Sequence, residues 1–509
     1  MNLLAIEPSP KVKLIGSIAA FLFFIQESVD IDLEVHMIHS NDDTIAAIAT
    51  AASDAGIGII RVSGTRAIEA VSHFYQNAKH EFDLQSHQSG TIRFGYFCDT
   101  KGDLIDEVMV SVMRAPHSYT KEDVVEVNTH GGTMVMQKIL HELISDENIC
   151  RLADPGEFTK RAFLNGRIDL TRAEAVMDII EAKSEFALNN SEKQLRGDMR
   201  NIIEDMRSKI IYEMAYIESA LDDPENYDLT GYEDRIMPMC DKIIRNCDKL
   251  IKSADEGRVR ATGLSTVIIG KPNSGKSSLL NVLTGEETAI VTDIAGTTRD
   301  VIEHDVKLGN ILLHVIDTAG IRDSADKIEA IGVEKARKYA REAELILYMI
   351  DSTSQINDED IEILTSVKDK KIIVLLNKTD KEDEIIITKD NISKLLETVG
   401  VSSDVPVITT SMILGNGIDE LKNAISDLFF NGKLVPEDEI YVTNLRHKNL
   451  LEKAYRSLCL VKNSVEQGLS EDFYTIDLHD AYESLGLIIG EEVGDDLVEE
   501  IFSKFCMGK

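Results

Sequence analysis

The octapeptide Gly270–Ser277 constrains this chain more than any other segment. It has the pattern G-x-x-x-x-G-K-S and lies between a β-branched run, Thr266–Ile269, and a helix-like run, Ser278–Leu283. Glycines let backbone N–H groups wrap a triphosphate, and the positive end of the following helix faces the same anion. Lys276 would reach the β- and γ-phosphates, and the Ser277 hydroxyl would hold Mg²⁺. The segment predicts a nucleotide-binding loop, and a glycine-rich turn without a ligand is the plain alternative.

Two further motifs each follow a buried strand pattern. Asp-Thr-Ala-Gly (Asp317–Gly320) follows Ile311–Ile316, and Asn-Lys-Thr-Asp (Asn377–Asp380) follows Ile372–Leu376. In the first motif, the aspartate fits the Mg²⁺ side and the glycine fits a backbone N–H aimed at a γ-phosphate. In the second, the aspartate can accept hydrogen bonds from the N1–H and 2-amino groups of guanine, a donor pair that adenine lacks. Together they predict GTP rather than ATP.

The segment Thr297–Asp300 lies between the loop and the next strand, where the Thr298 hydroxyl would cap Mg²⁺. Position 321 is Ile, where GTPases of the Ras kind place the glutamine that orients water. Water must therefore be positioned, and charge neutralised, in another way. Asn273 and the loop Thr292–Thr297 can enclose a monovalent cation beside the phosphates, using an amide oxygen and backbone carbonyls. A loop-shaping role for Asn273 is an equal alternative.

These elements, in this order and at strand ends, form a GTPase signature. The predicted nucleotide site comprises Asn273, Ser274, Gly275, Lys276, Ser277, Ser278, Thr292, Asp293, Ile294, Ala295, Gly296, Thr297, Thr298, Asp317, Thr318, Ala319, Gly320, Asn377, Lys378, Asp380 and Ser411, with Ser277 and Thr298 as the Mg²⁺ ligands.

Composition limits the other classes of function. The chain has 509 residues, enough for about three domains, and a formal net charge of -35. Its six cysteines form no C-x-x-C pair, which disfavours zinc or a disulfide framework and favours the reducing cytoplasm. An acidic chain leaves only a local basic patch for nucleic acid, and the densest group is Lys160, Arg161, Arg167 and Arg172. A solvated helix face explains that group equally well.

The N-terminus shows a separate pattern. Lys11 and Lys13 precede the apolar stretch Leu14–Ile25, which resembles a short signal segment and is too short to span a bilayer comfortably. Acidic residues follow, without a clear small-residue cleavage site. We expect translation to start at Met37, and we expect the protein to have no membrane association.

From about Asp42 to its last residue, the chain resembles the tRNA-modification GTPase MnmE family, also called TrmE. The motifs that carry the resemblance are Ile57–Gly64, Glu122–Val127, His130–Gly132, Pro155–Gly166, Thr292–Asp300 and Phe505–Lys509. The Cys-x-Gly-Lys end behind a complete G domain is the most specific of them. Lys121 stands where the family usually has Gly, and Arg167 stands where many relatives have Lys, so local differences in loop shape and geometry are expected.

The resemblance and the hydrophobic pattern together predict a multidomain α/β + α fold. Alternating strands and helices indicate an N-terminal α+β domain, and apolar residues at helical spacing indicate a discontinuous helical domain. The strand-end motifs indicate an inserted P-loop G domain with a Ras-like parallel sheet. The expected boundaries are 1–36 for an extension, 37–165 for a tetrahydrofolate-binding-like domain, 166–256 and 433–509 for the helical domain, and 257–432 for the G domain.

The resemblance also implies residues for hydrolysis. Asn273 and the carbonyls of Thr292, Ile294 and Thr297 would hold K⁺. Glu329 would orient the attacking water through a bridging water. Without the family, the default interpretation of Glu329 is a surface residue in an i,i+4 helix pair.

A folate site is implied in the same way. Arg61, Glu126, Arg167 and Lys509 would lie at a bound tetrahydrofolate, because carboxylate and basic groups complement its pterin and its tail. Cys506 would take part in tRNA modification as a thiolate or a general acid or base. From the residues alone, Glu126 fits a strand-edge salt bridge, and Cys506 fits a buried structural thiol.

The function implied by the resemblance is K⁺-dependent GTP hydrolysis coupled to modification of the wobble uridine of certain tRNAs. An FAD-dependent MnmG (GidA) partner would form a heterotetramer with a homodimer joined through the N-terminal domain. Together they would add a carboxymethylaminomethyl or aminomethyl group at C5, with 5,10-methylene-tetrahydrofolate as the one-carbon source. The alternatives are a ribosome-assembly or signalling GTPase with an accessory folate-like domain, and a folate-dependent transferase with a regulatory G domain.

Overall fold

The computed structural model describes residues 43–51, 53–81, 84–285, 303–317, 339–402, 404–430, 432, 439–491 and 493–509. The chain forms two compact units. Unit 1 takes the chain up to Met177, with Lys193–Asp248 and Asn449–Lys509, and unit 2 takes Asp178–Glu192 and Lys249–Lys448. The expected start at Met37 lies outside the described residues. Among the described helices, none combines the length and apolar character that crossing a membrane requires.

Unit 1 contains a seven-stranded sheet. Its strands are β1 (Ile45–Ile48), β2 (Ala55–Ser63), β3 (Tyr75–Asn77), β4 (Thr91–Cys98), β5 (Leu104–Met113), β6 (Val124–Gly131) and β7 (Arg151–Leu152), in the order β3-β4-β5-β6-β2-β1-β7. The strands pair antiparallel except β1 with β7. Alternate residues of β5, such as Val108, Val110 and Val112, are buried in one core. This alternation is the period-two pattern of a half-covered sheet, and the predicted α+β domain is confirmed.

Helices α1 (Ala67–Ser72) and α2 (Thr133–Leu143) contribute buried side chains to the core of that sheet. The other helices with residues in unit 1 are α3 (Glu157–Leu164), α4 (Leu170–Glu181), α5 (Glu185–Arg196), α6 (Asp198–Asp222), α7 (Glu233–Thr262), α12 (Leu445–Glu466), α13 (Glu471–Ile489) and α14 (Asp495–Phe502). Arg207 on α6 donates to the Tyr482 carbonyl and lies 3.9 Å from the centre of the Tyr482 ring on α13. Helical segments distant in sequence therefore pack together, as the discontinuous helical pattern predicts.

Unit 2 contains a six-stranded sheet. Its strands are β8 (Leu264–Ile269), β9 (Glu303–Leu308), β10 (Ile311–Asp317), β11 (Leu345–Asp351), β12 (Lys371–Asn377) and β13 (Val407–Thr409), in the order β13-β12-β11-β8-β10-β9. Its described helices include α8 (Lys276–Gly285), α9 (Asp358–Ser366), α10 (Lys389–Val399) and α11 (Ile418–Phe430). The residues of β11 from Leu345 to Ile350 are all buried, as expected for a central strand covered on both faces.

The predicted Ras-like parallel sheet is present, with one exception at its edge. There β9 pairs antiparallel with β10. Only Gly309 and Asn310 separate the two strands, and a two-residue connection can join antiparallel neighbours but not parallel ones. The other neighbouring strands are parallel, so their carboxyl ends meet at one edge.

Arg161 corrects the predicted basic patch. Its side chain is 3% exposed and its Nη2 lies 2.6 Å from Asp43 Oδ1 and 2.9 Å from Glu157 Oε1. Its Nη1 lies 3.2 Å from Glu122 Oε1. Burial acts to raise the pKa of both carboxyls, but hydrogen bonds from Arg151 and then Arg161 outweigh that effect and hold the pKa values of Asp43 and Glu157 below their usual range. Arg161 is therefore a structural cation and is not available to RNA.

Lys121 lies in a loop that has the backbone of a glycine. Its φ is 62°, in the left-handed region, which costs a residue with a side chain about 1–2 kcal/mol. Its Nζ donates to the Asn165 carbonyl at 2.8 Å. This hydrogen bond offsets part of the backbone strain, so the side chain that replaces Gly helps to hold the loop.

Candidate functional site

The phosphate loop runs from the end of β8 at Ile269 to the start of α8 at Lys276. Gly275 has φ of 108°, and a Cβ built on it would lie 2.3 Å from Asn377 Nδ2. Asn273 has φ of 61°, a conformation that asparagine tolerates better than most residues. The strand, loop and helix thus have the arrangement that the motif predicts, and the amino-terminal end of α8 faces the loop.

Side chains of this loop line a cavity of about 640 Å³ at the carboxyl edge of the sheet. The lining residues are Pro272, Asn273, Gly275, Lys276, Ser277, Ser278, Asn377, Lys378, Asp380, Lys381, Met412 and Ile413. The Lys276 Nζ donates to the carbonyls of Gly270 (3.0 Å) and Lys271 (2.9 Å), so its ammonium lies inside the curve of the loop. Ser277 and Ser278 are exposed at the start of α8. An ammonium, hydroxyls and a helix amino terminus together favour a phosphate ligand.

Asn377 joins the two predicted nucleotide loops. Its side chain is buried, and its Nδ2 donates to the Ser274 carbonyl at 2.9 Å. Its Oδ1 accepts from the Met412 N–H at 3.3 Å and from the Thr410 hydroxyl at 3.4 Å. Asn377 and Ser274 were both predicted to contact the nucleotide. The structure places this amide between the phosphate loop and the base loop, where it fixes their separation.

Asp380 carries the predicted contact with the base. It is partly exposed at the cavity, and its Oδ1 accepts from the Ser411 hydroxyl at 2.7 Å. This hydrogen bond orients the carboxylate and leaves acceptor sites for a ligand. Sequence reasoning placed both residues in the site, and the structure brings them together.

Lys378 is held by a residue that sequence reasoning missed. Its backbone has φ of 64°, and its Nζ lies 2.6 Å from Asp351 Oδ2 at the end of β11. Burial acts to raise the pKa of Asp351, but hydrogen bonds from Lys378 and Thr353 lower it below the usual range. The available signal was the position of Asp351 directly after the buried run Leu345–Ile350, the same position that Asp317 has after its strand.

Several predicted residues lie outside the described residues. They are Thr292, Asp293, Ile294, Ala295, Gly296, Thr297, Thr298, Thr318, Ala319, Gly320 and Glu329. The backbone of Asp317 is described, and it pairs with Ile268 near the end of β8. The end of β10 therefore lies beside the strand that leads into the phosphate loop, as the order of the motifs predicts.

We expect Gly275→Ala to weaken nucleotide binding about tenfold, because the new Cβ would overlap Asn377 Nδ2 and the backbone strain is about 1–3 kcal/mol. Calorimetric titration with GDP measures the change. Gly285→Ala is the matched control, because nothing lies within 4 Å of a Cβ at that position. Equal affinities for Gly275→Ala and Gly285→Ala would contradict the close packing of the two loops.

A second cluster in unit 1 brings together the residues predicted for folate. The Arg61 Nη2 lies 2.8 Å from Glu126 Oε1, and Arg61 also donates to the Gly508 carbonyl at 3.2 Å. Burial, and then the neighbouring Arg61, lower the pKa of Lys509, while Glu126 acts in the opposite direction. The cluster therefore places two cationic side chains, Arg61 and Lys509, beside Glu126.

Sequence reasoning missed an aromatic ring in this cluster. The guanidinium groups of Arg61 and Arg167 lie 5.6 and 4.6 Å from the centre of the Tyr119 ring, within the range of cation–π contacts. The available signal was the place of Tyr119 next to the Glu122–Val127 motif, but a ring between two cations distant in sequence requires the folded chain.

Cys506 is exposed rather than buried, so the structural-thiol alternative is wrong for it. Its carbonyl accepts from the backbone N–H of Gly156 (3.3 Å) and of Lys509 (3.3 Å). These bonds attach the end of the chain to the start of α3. Cys506 is accessible, and it precedes Lys509 of the Arg61 cluster by three positions in the sequence.

The parallel strands, the phosphate loop at their carboxyl ends and the oriented Asp380 define unit 2 as a G domain, and the chain as a P-loop GTPase. Two family models match this chain, one in its N-terminal part and one in the remainder. The model described as MnmE helical domain matches residues 170–506, and the model described as GTP-binding protein TrmE N-terminus matches residues 44–167.

Two relatives are similar over nearly their whole length. The tRNA modification GTPase MnmE of Lachnoclostridium phytofermentans is 49% identical over 467 residues, which cover 92% of this chain and 99% of the relative. That of Bacillus subtilis is 41% identical over 469 residues, which cover 92% of this chain and 100% of the relative. The chain therefore belongs to the tRNA modification GTPase MnmE family. Among solved structures, Aquifex aeolicus Era is 31% identical over 39% of this chain and 67% of its own, with a TM-score of 0.26, too low to compare folds.

Proposed function

We propose that this chain hydrolyses GTP to drive modification of the wobble uridine in certain tRNAs. Family membership over 92% of the chain carries the proposal, and the geometry of the G domain supports it. The C5 substituent would be an aminomethyl or carboxymethylaminomethyl group. An FAD-dependent MnmG (GidA) partner would share the reaction, and it would also add positive surface for tRNA to this chain, whose net charge is -35.

In the proposed G-domain site, Lys276 and the amino terminus of α8 bind the phosphates and Asp380 selects guanine. The hydroxyls of Ser277 and Thr298 would hold Mg²⁺, with Asp317 on the same side. The exposed position of Ser277 at the first turn of α8 supports its part in this assignment. Glu329 would orient the attacking water, a role that rests on the family resemblance.

The proposed K⁺ site uses the Asn273 amide with the carbonyls of Thr292, Ile294 and Thr297. The left-handed backbone of Asn273 at the cavity supports its part. A fixed positive charge beside the phosphates would stabilise charge that develops in the transition state.

We expect GTP turnover to rise about tenfold or more in K⁺ compared with Na⁺ at equal ionic strength, because a lost electrostatic contact to a transition state typically costs that much or more. Phosphate release in the two salts measures the effect. Asn273→Gly keeps the left-handed backbone and removes the amide, so it should bind GDP normally and lose the stimulation. Equal wild-type rates in the two salts would remove the cation site.

The Arg61 cluster is the proposed site for 5,10-methylene-tetrahydrofolate, with Arg61, Glu126, Arg167 and Lys509 around it. Glu126 can accept from the pterin, and the cationic side chains suit the carboxylates of the tail. Exposed Cys506 would act in the chemistry near this folate.

A homodimer through the N-terminal domain is supported by the outer sheet face. Ile57, Ile92, Phe94 and Met109 are exposed there, and Ile57 and Ile92 are 64% and 60% exposed. Phe94 and Met109 are direct cross-strand partners, and Met109 pairs in turn with Asn128. The cross-strand pair of Arg61 and Glu126 lies on the same face by alternation. An apolar face of this kind fits a second copy of itself, and light scattering would measure the dimer.

Mass analysis of wobble uridines from a strain lacking the gene tests the central proposal. Loss of the C5 substituent, restored by the intact gene, is the expected result. Unchanged tRNA would instead favour a ribosome-assembly or signalling GTPase with an accessory folate-like domain. Folate turnover independent of GTP would favour a one-carbon transferase.

A further inference from the structure

Lys271 is the second residue of the phosphate loop, yet it is absent from the lining of the nucleotide cavity. Its Nζ donates to the Gln355 carbonyl (2.9 Å), to Asp360 Oδ2 (2.8 Å) and to Asn357 Oδ1 (3.4 Å). A lysine ammonium has three N–H donors and no acceptor, so these contacts account for all of them. The side chain is therefore fixed in one direction by groups outside the loop.

The main partner of Lys271 is a carboxylate with no solvent exposure. Asp360 is 0% exposed, and its Oδ1 accepts from the Tyr348 hydroxyl at 2.6 Å. Its Oδ2 accepts from the Asn357 N–H at 3.0 Å as well as from Lys271. A buried carboxylate is stable only when it is paired and hydrogen-bonded. Each of its oxygens has such a partner.

The side chains of Lys271, Asp360 and Tyr348 connect the phosphate loop to a helix and a strand. Asp360 and Asn357 form the capping box that begins α9, and Tyr348 lies in the fully buried strand β11. Burial, and then the neighbouring Asp360, raise the pKa of Tyr348, so its hydroxyl remains a donor at neutral pH. The backbone of the loop is also close to β11, because a Cβ on Gly270 would lie 2.1 Å from the Met349 carbonyl.

We propose that Lys271, Asp360 and Tyr348 form a positioning network that holds the phosphate loop in its nucleotide-binding shape and so sets nucleotide affinity without touching the nucleotide. This inference rests on the proposed GTP binding. To bind phosphate, the loop must direct several backbone N–H groups inward at the same time. If its first residues were flexible, their conformational freedom would be lost each time a nucleotide binds, and affinity would fall. The network removes that freedom in advance.

Lys271→Met removes the charge and keeps most of the packing. We expect it to raise the GDP dissociation constant of the folded protein about tenfold, as loss of a charged hydrogen bond implies. It also leaves Asp360 buried without its cation, so thermal stability should fall. Lys271→Arg keeps the charge and should restore both properties in large part. Lys368→Met removes an exposed lysine of the same unit and is the matched control.

The double variant Lys271→Met with Asp360→Asn separates positioning from stability. It contains no unpaired buried charge, so its melting temperature should recover relative to Lys271→Met, while its GDP dissociation constant should stay raised. Recovery of both, or a normal dissociation constant in folded Lys271→Met, would overturn the proposal. If Lys271→Met does not fold, Tyr348→Phe makes the same test, with about threefold weaker binding expected and unchanged binding contradicting it. Wild-type protein that fails to bind GDP would instead reject the proposed function.

Discussion

Replacing Asp380 with Asn should weaken GTP binding about 100-fold or more, because two hydrogen bonds to a charged acceptor contribute about 1.5–3 kcal/mol each. The asparagine amide would direct a donor at a guanine donor. Xanthine carries a carbonyl where guanine has its 2-amino group, so the same variant should bind XTP better than GTP. Calorimetric titration of both nucleotides against both proteins measures the exchange.

The orientation of the carboxylate supplies a graded control. Ser411 donates to Asp380 at 2.7 Å, so Ser411→Ala should cost GTP affinity about tenfold, as loss of one neutral donor implies, without favouring XTP. Asp380 is partly exposed, so thermal stability should hardly change in Asp380→Asn. Equal loss of GTP and XTP affinity in Asp380→Asn would show that this residue does not contact the base.

Arg161→Ala should destabilise unit 1 by about 3 kcal/mol, because it leaves the nearly buried Glu122 without its cation, while Asp43 and Glu157 keep their ion pairs with Arg151. Glu157 and Glu122 have side-chain exposures of 9% and 10%, so water can replace little of the lost contact. Scanning calorimetry or urea unfolding measures the change. Lys160→Ala, next in sequence and outside the buried ion-pair network, should change stability by no more than about 0.5 kcal/mol.

The effect of this substitution should depend on pH. Arg151 and Arg161 together lower the folded-state pKa values of Asp43 and Glu157. The part of this stabilisation that Arg161 supplies is present above the unfolded-state values, about 4, and is lost as pH falls through the folded-state values. The difference in stability between wild type and Arg161→Ala should therefore be largest near neutral pH and should shrink under acid conditions. A difference that stays constant down to pH 3 would assign the loss to packing alone.

Local patterns allowed most of the fold to be predicted. The runs before Gly270, Asp317 and Asn377 are apolar and β-branched, so each predicts a buried strand with its motif at the carboxyl end. Parallel strands bring those ends together without any knowledge of side-chain contacts. The antiparallel β9 was missed because its sequence, Glu303–Leu308, contains only two apolar residues and so has a weak strand pattern. Only the two-residue turn that begins at Gly309 indicates the direction of pairing.

The support behind the site could not be predicted, because it depends on partners distant in sequence. Lys271 and Asp360 are 89 positions apart, and each is an ordinary charged residue in its own segment. Arg161 resembles a solvated cation in the sequence, and only the folded chain shows the carboxylates around it. In both cases a charge pattern gave no indication of burial.

The amide of Asn377 should affect how tightly this pocket binds fragments of a nucleotide. Because it bonds to the Ser274 carbonyl, the two halves of the pocket are joined before anything binds. A nucleoside and a pyrophosphate offered as separate molecules each lose their own translational freedom, whereas the intact nucleoside diphosphate loses it once. The fragments should therefore bind far more weakly than the intact nucleotide, even as a mixture. Screening for inhibitors should begin from compounds long enough to contact both the phosphate loop and the base loop.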